Sequence, residues 1–476
     1  MAIQLNMANS IHYSSLSQVA KLIQTGELSP IELTELMLTR IYEVDKTLLS
    51  YATVTADRAM LAAKKAEAEI GAGNYRGLLH GIPIAVKDLF FTKDIKTMGG
   101  LKVRKDFKPS FDASVVEKLE TAGAVLLGKL NLTEGALSGY NRDFDIPINP
   151  WGAHLWAGVS SSGSGVATAG GLCFASLGTD TGGSIRYPSM ANGIVGLKPT
   201  YGRVSRFGVM ALAQSLDHVG PMTRTVKDAA VVFEAIAGFD HRDETSLRAA
   251  VPNILDSLSL DLGGIKIGVD ERYISEGTNP GLVSAISKVI ETLVQLGAKL
   301  VPVSMPDDGP VELRAAWLPI TAFESLQAHR ETYPSRAKDY GGYLGDVLEL
   351  GLNMTEADYR VAMVLRNEIT SRFVKQLADV DAVICPSGGS VFEVESQLQY
   401  GGMDTLKPVI LNFQGQFTIP ADLAGTPTIT VPCGFSEADT PYAVQFLGRS
   451  LSEANLCRIA YAYEQASNWH LRHPNI

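Results

Sequence analysis

The sequence is sparing with the residues that most often announce a site. Its four cysteines, Cys173, Cys385, Cys433 and Cys457, are spread over 476 residues without a CxxC pair. Neither a zinc ribbon nor a dithiol redox centre is therefore encoded locally. All but Cys457 fall in apolar or strand-like surroundings, which predicts buried free thiols rather than disulfides and suits a reducing compartment. The eight histidines (His12, His80, His154, His218, His241, His329, His470 and His473) form no HExxH or similar ligand pair, so no metal is expected. There is no GxSxG elbow, which leaves an α/β-hydrolase triad unsupported. Gly123 to Leu130 nearly matches a phosphate loop, but Leu130 stands where magnesium chemistry needs a hydroxyl. The stretch Gly163 to Gly171 does not fit GxGxxG spacing either, and no cofactor is expected.

Positive charge is also short, with 41 Lys and Arg against 51 Asp and Glu and a net charge of −10. That balance argues against nucleic acid as the main partner and suits a cytoplasmic protein. Leu155 to Thr179 carries no charge, yet it is too rich in Ser and Gly for a membrane span. The opening Met1 to Ser10 lacks the charged and apolar regions of a signal peptide.

What is abundant is apolar surface: 46% of residues are hydrophobic and 19% charged, enough for a large buried core. Ser29-Pro30-Ile31-Glu32 predicts a helix start, with Ser as N-cap, Pro at the first position and Glu closing a capping box. Asp57 to Ile70 predicts a second helix ended by Gly71. Residues 1–75 are expected to form a helical N-terminal layer of the same domain, and residues 76–476 its catalytic part. Gly81 to Asp88 reads as a buried strand with Lys87 at its end, and Asp112 to Asn131 as a helix followed by a strand. The rhythm returns at Ile265 to Val303, and Val380 to Cys385 and Thr428 to Pro432 read as strands ended by proline. The expectation is one large α/β domain whose central mixed, mostly parallel β-sheet is flanked by helices.

The densest chemistry lies between Gly158 and Pro188. The block opens Gly158-Val159-Ser160-Ser161-Ser162-Gly163-Ser164-Gly165 and closes Gly178-Thr179-Asp180-Thr181-Gly182-Gly183-Ser184-Ile185-Arg186-Tyr187-Pro188. Two glycines before Ser184 let the backbone bend and gather amide N–H groups, as an oxyanion site requires. A serine nucleophile needs a base, and no histidine is near in sequence. A buried lysine can serve, because desolvation favours the neutral amine. Lys87, at the end of an apolar strand, is the candidate.

This block resembles the signature of the amidase signature family, a GGSSGGS-type run followed by a GTDTGGSIRxP-type segment. GIPIAVKD (81–88), DASVVEKLETAGAVLLGKLNLTE (112–134), GLKPTYGRVSRFGV (196–209), SLDHVGPMTRTVKDAA (215–230) and IPADLAGTPTITVPCG (419–434) are similar to family segments in the expected order. The resemblance implies a Ser–Ser–Lys triad. Ser184 would be the acyl-forming nucleophile, Ser160 the bridging serine after a cis peptide bond, and Lys87 the general base. The backbone amides of Thr181, Gly182, Gly183 and Ser184 would form the oxyanion hole. Asp180 and Arg186 would brace that loop, and Ser161, Ser162 and Ser164 would shape it. Val159 and Ser162 stand where the family usually has glycine.

The implied reaction is hydrolysis of a small-molecule amide, aryl amide or carbamate by a monomer or homodimer. The alternative is the A subunit of glutamyl-tRNA amidotransferase, which releases ammonia from glutamine for a partner subunit. Two positions depart from that alternative: Gly415 where it carries an Asp, and Val347 or a neighbour where it carries the carboxylate-binding arginine. Gly135 to Tyr140 also lacks its serine pair. A catalytically silent scaffold of the same fold would be expected to have lost a triad residue, and none is lost.

Overall fold

The computed structural model describes residues 11–476. The opening stretch read for a signal peptide lies outside the described residues. An 11-stranded sheet runs through the molecule. Its strands are β1 (Tyr51–Val54), β2 (Pro83–Lys87), β3 (Val125–Leu130), β4 (Ala175–Asp180), β5 (Val195–Lys198), β6 (His218–Thr223), β7 (Lys266–Val269), β8 (Lys299–Pro302), β9 (Ala382–Pro386), β10 (Thr428–Phe435) and β11 (Pro441–Leu447). Their order is β1-β3-β2-β4-β6-β5-β10-β11-β9-β7-β8.

The sheet is mixed, as expected, but it is not mostly parallel. The strand–helix–strand rhythm produces parallel pairing only in two blocks, β3-β2-β4 and β9-β7-β8. The other six pairings among the described residues are antiparallel. Pro432 does not end its strand either. The register of β10 against β11 shifts between Pro432 and Gly434, so a bulge absorbs the missing amide and the strand continues.

Helices cover the sheet because its inner strands are buried along their whole length, β2, β3 and β4 included. At the N-terminal end, helix Pro30–Leu48 begins as expected with Ser29 as cap, its hydroxyl accepting the amides of Ile31 and Glu32 at 3.0 and 3.2 Å. Glu32 does not close a capping box. The Ser29 hydroxyl donates instead to Glu67, on helix Ala56–Gly71, so the cap ties two helices together. The N-terminal region also supplies β1, which pairs with β3 and so joins the main sheet. All four cysteines are buried and free. Among the described residues no helix is long and apolar enough to cross a membrane.

The strand register sets the site. β2 and β4 are parallel neighbours with Val86 opposite Leu177, so Lys87 and Thr179 emerge at the same edge of the sheet. The chain leaving β4 at Asp180 turns there into the glycine loop, and helix Arg186–Asn192 follows it.

Candidate active site

Lys87 is fully buried, and its Nζ donates to the hydroxyls of Ser160 at 2.7 Å, Ser161 at 2.9 Å and Thr179 at 2.9 Å. No carboxylate pairs with it among the described residues. Burial therefore dominates and lowers the amine from 10.5 to about 7, while the more distant charges of Asp180 and Asp217 pull the other way. Hydroxyls suit either protonation state, since they accept from an ammonium and donate to an amine. Ser161 is not free to donate to Lys87, because its hydroxyl donates to the Thr179 carbonyl at 3.2 Å. Ser160 is. The peptide bond between Val159 and Ser160 is cis, with a valine in the place the family usually gives to glycine.

The second serine segment is held against the first by the Ser161 amide, which donates to the Ser184 carbonyl at 3.3 Å. Ser160 is buried, whereas Ser184 is half-buried and lines a cleft. Among the described residues its hydroxyl has no protein partner, and no hydrogen bond joins it to Ser160. Such bonds often tighten only when substrate arrives.

Asp180 organises the glycine loop. Its carboxylate accepts the amides of Gly183 at 2.7 Å, Ile185 at 2.9 Å and Arg186 at 3.3 Å, and the Arg186 guanidinium through Nε at 3.0 Å and Nη2 at 2.8 Å. Burial alone would raise this acid, but the Arg186 charge and hydrogen bonds hold it well below the usual carboxylate range. Arg186 also pairs with the buried Asp422 and donates to the Thr418 carbonyl at 2.8 Å. One expectation is corrected here. The Gly183 amide is committed to Asp180 and is not a spare oxyanion donor. Among the described residues the amides of Thr181, Gly182 and Ser184 have no protein acceptor.

The cleft beside Ser184 encloses about 770 Å³, its open mouth included. Its lining is largely apolar, with Leu137, Val159, Leu212, Phe413 and Ile419 on its walls, and Arg314 is its one charged residue. Phe413 stacks on the buried Trp156 with ring centroids 4.7 Å apart, and Trp156 stacks in turn on Phe392 at 4.9 Å. The roof comes from helix Pro310–His329, whose Trp317 donates through Nε1 to the Thr181 carbonyl at 2.8 Å and lies over Gly182.

A family model described as Amidase matches residues 32–457. The chain belongs to the amidase family. It is 40% identical over 468 residues to "Putative amidase AmiD" of Mycobacterium tuberculosis, covering 98% of this chain and 97% of that one. It is 37% identical over 491 residues to the A subunit of the glutamyl-tRNA(Gln) amidotransferase of Thermosynechococcus vestitus, covering 97% of this chain and all of that one. Among solved structures it is similar to the native peptide amidase of Stenotrophomonas maltophilia, with a TM-score of 0.84, 30% identity, and coverage of 97% of this chain and 98% of that one.

Within this amidase, Ser184 lines the cleft, whereas Ser160 and Lys87 are fully buried and are not among its lining residues. Several contributors escaped the sequence reading. Ser161, read only as shaping the loop, touches Lys87 directly. Thr179 does so too, and the strand register was the only clue to it. Asp217 accepts the Thr181 hydroxyl at 2.6 Å and fixes one side of the loop. Trp317 and Arg314 sit 133 and 130 residues beyond Ser184, with no local motif to mark them. Gly415 lines the cleft, but Val347 is buried in the core of helix Gly342–Leu352.

Proposed function

We propose that this amidase hydrolyses the C–N bond of a small-molecule amide, with aryl amides and carbamates as related substrates, through an acyl-enzyme on Ser184. The observation that carries the reading is the buried Lys87 amine, bonded to three hydroxyls and to no carboxylate. A lysine in that setting is neutral over much of the neutral pH range and can act as a base. Ser184 Oγ attacks the substrate carbonyl while its proton passes to Ser160 and the Ser160 proton passes to Lys87. The carbonyl oxygen becomes an oxyanion, received by the free amides among Thr181, Gly182 and Ser184. Collapse breaks the C–N bond, and the proton returns through Ser160 to the leaving amine. Water then attacks the Ser184 ester by the same route, releasing the acid and restoring the serine.

The experiment is covalent labelling by a serine-directed fluorophosphonate, followed by peptide mapping. The label should fall on Ser184 and vanish in Ser184→Ala together with amide hydrolysis. Folded protein that is neither labelled nor impaired by Ser184→Ala would overturn the assignment. The amidotransferase reading is the weaker one, since Gly415 offers no carboxylate to the cleft. It would be favoured by glutaminase activity that depends on a partner protein and tRNA. As a free enzyme, the protein is taken to work as a monomer or homodimer.

A further inference from the structure

Arg314 is an anomaly in the cleft. It is the sole charged residue among the lining side chains, and it forms no ion pair with any described carboxylate. Acids on the same helix and the adjoining segments are engaged elsewhere. Asp308 pairs with Arg372 at 2.6 Å and Asp307 with Arg272 at 2.6 Å. Asp346 accepts the Met403 amide at 2.7 Å, and Glu324 accepts the Tyr359 hydroxyl at 2.7 Å. Glu312, two residues away, is exposed and projects from a different face of the helix. Its polar neighbour is Tyr343, whose phenol is raised by burial while the charge and hydrogen bonding of Arg314 pull it the other way.

Helix geometry fixes where this cation sits. Arg314 and Trp317 are three residues apart on helix Pro310–His329, so they share a face and are neighbours. Trp317 is anchored to the nucleophile loop through the Thr181 carbonyl. Arg314 therefore lines the same cleft about one helical turn from Trp317. A guanidinium that lines apolar walls without an ion-pair partner can receive a carboxylate brought by the ligand through two parallel hydrogen bonds.

We propose that Arg314 selects substrates by a carboxylate, so that the preferred class is the half-amides of dicarboxylic acids, with the amide end at Ser184 and the carboxylate at Arg314. This rests on the amidase reading above and adds the substrate class to it. The same lining argues against a zwitterion. No acid faces the cleft, so the ammonium of an amino-acid amide such as glutamine would be left without a partner. Glutaramate, which is glutamine without its amino group, should thus be the better substrate.

The test compares kcat/KM for a homologous series of half-amides with that for uncharged alkanamides of the same chain length, and for glutaramate with that for glutamine. In the wild type the charged member should lead by about ten- to a hundredfold, the usual worth of a hydrogen-bonded charge pair. Arg314→Met should erase that preference, and Arg314→Lys should restore part of it. A preference unchanged in Arg314→Met, or a wild type that favours the alkanamide or glutamine, overturns the proposal. A second readout does not need turnover. Glutarate should bind by calorimetry, and Arg314→Met should weaken it at least tenfold; equal binding by the two proteins also overturns the proposal. Loss of fluorophosphonate labelling at Ser184 with glutarate binding intact would instead strike the amidase mechanism and leave the Arg314 site standing.

Discussion

Arg186 grips Asp180 with two nitrogens, at 3.0 and 2.8 Å, and neither side chain touches solvent. The pair holds the loop from which Ser184 projects, because the same carboxylate takes the amides of Gly183 and Ile185. Removing one partner leaves a buried charge uncompensated, which costs about 3–5 kcal/mol. Arg186→Leu should therefore lower stability in urea unfolding by that amount and abolish hydrolysis. Arg186→Lys should recover only part of either, since an ammonium cannot reproduce the planar fork.

The fold and the proposed triad were legible in the sequence to different depths, for a physical reason. Strands β2, β3, β7, β8, β9 and β10 stood out because each is an apolar run set off by a turn signal, a helix pattern or a proline. The strands β4, β5 and β6 that make the middle of the sheet antiparallel carry Gly, Ser, Thr and Pro on buried faces, so neither alternation nor an apolar run marked them. Ser160, Ser184 and Lys87 could be named because motif residues carry them. The commitment of the Gly183 amide to Asp180, the contact of Ser161 with Lys87 and the arrival of Trp317 over Gly182 depend on chain segments far apart in sequence. Local pattern is silent about such contacts.

Lys87 gives a pH signature in activity and in stability. Burial lowers its folded value to about 7, so hydrolysis should rise with pH along a limb centred near there, and the limb should vanish in Lys87→Met. In the unfolded chain a lysine titrates near 10.4. Between about pH 7 and 10 the unfolded state then binds more protons than the folded one, so this group makes stability increase with pH, by at most ~1.4 kcal/mol per unit. Unfolding curves across that window should be flatter for Lys87→Met, and the variant should be the more stable protein at pH 6.

Ser161→Ala separates tuning of the base from loss of the base. The substitution deletes one of three acceptors of the Lys87 ammonium, which penalises the charged form and moves the limb to lower pH. It also frees the Thr179 carbonyl, which accepts the Ser161 hydroxyl. We expect measurable activity, reduced about tenfold on the scale of one buried hydrogen bond, with a pH–rate limb displaced to the acid side. An undisplaced limb would show that Ser161 does not set the state of Lys87.

Trp317→Phe tests the roof of the cleft. The phenyl ring keeps the cover over Gly182 but cannot donate to the Thr181 carbonyl, which now receives the indole N–H at 2.8 Å. A loop freed at Thr181 should stabilise the oxyanion less well while binding substrate much as before. The expected result is a fall of about tenfold in kcat with KM within a few-fold. A change confined to KM would assign Trp317 to substrate binding alone.

Gly158 can be tested against a glycine with the same φ elsewhere. Its φ is +86°, and a Cβ there would overlap the backbone of Pro188, in the helix that follows Ser184. Gly264 has the same φ of +86°, with nothing within 4 Å of the place a Cβ would take. Alanine at a positive φ strains the backbone at both sites, by about 1–2 kcal/mol. Only Gly158→Ala must also push the Ser160 segment away from the Ser184 segment. Gly264→Ala should lose stability and keep its turnover, whereas Gly158→Ala should lose markedly more stability and nearly all activity. Equal losses in the two variants would mean that conformational strain, rather than the close approach of the two serine segments, is what Gly158 serves.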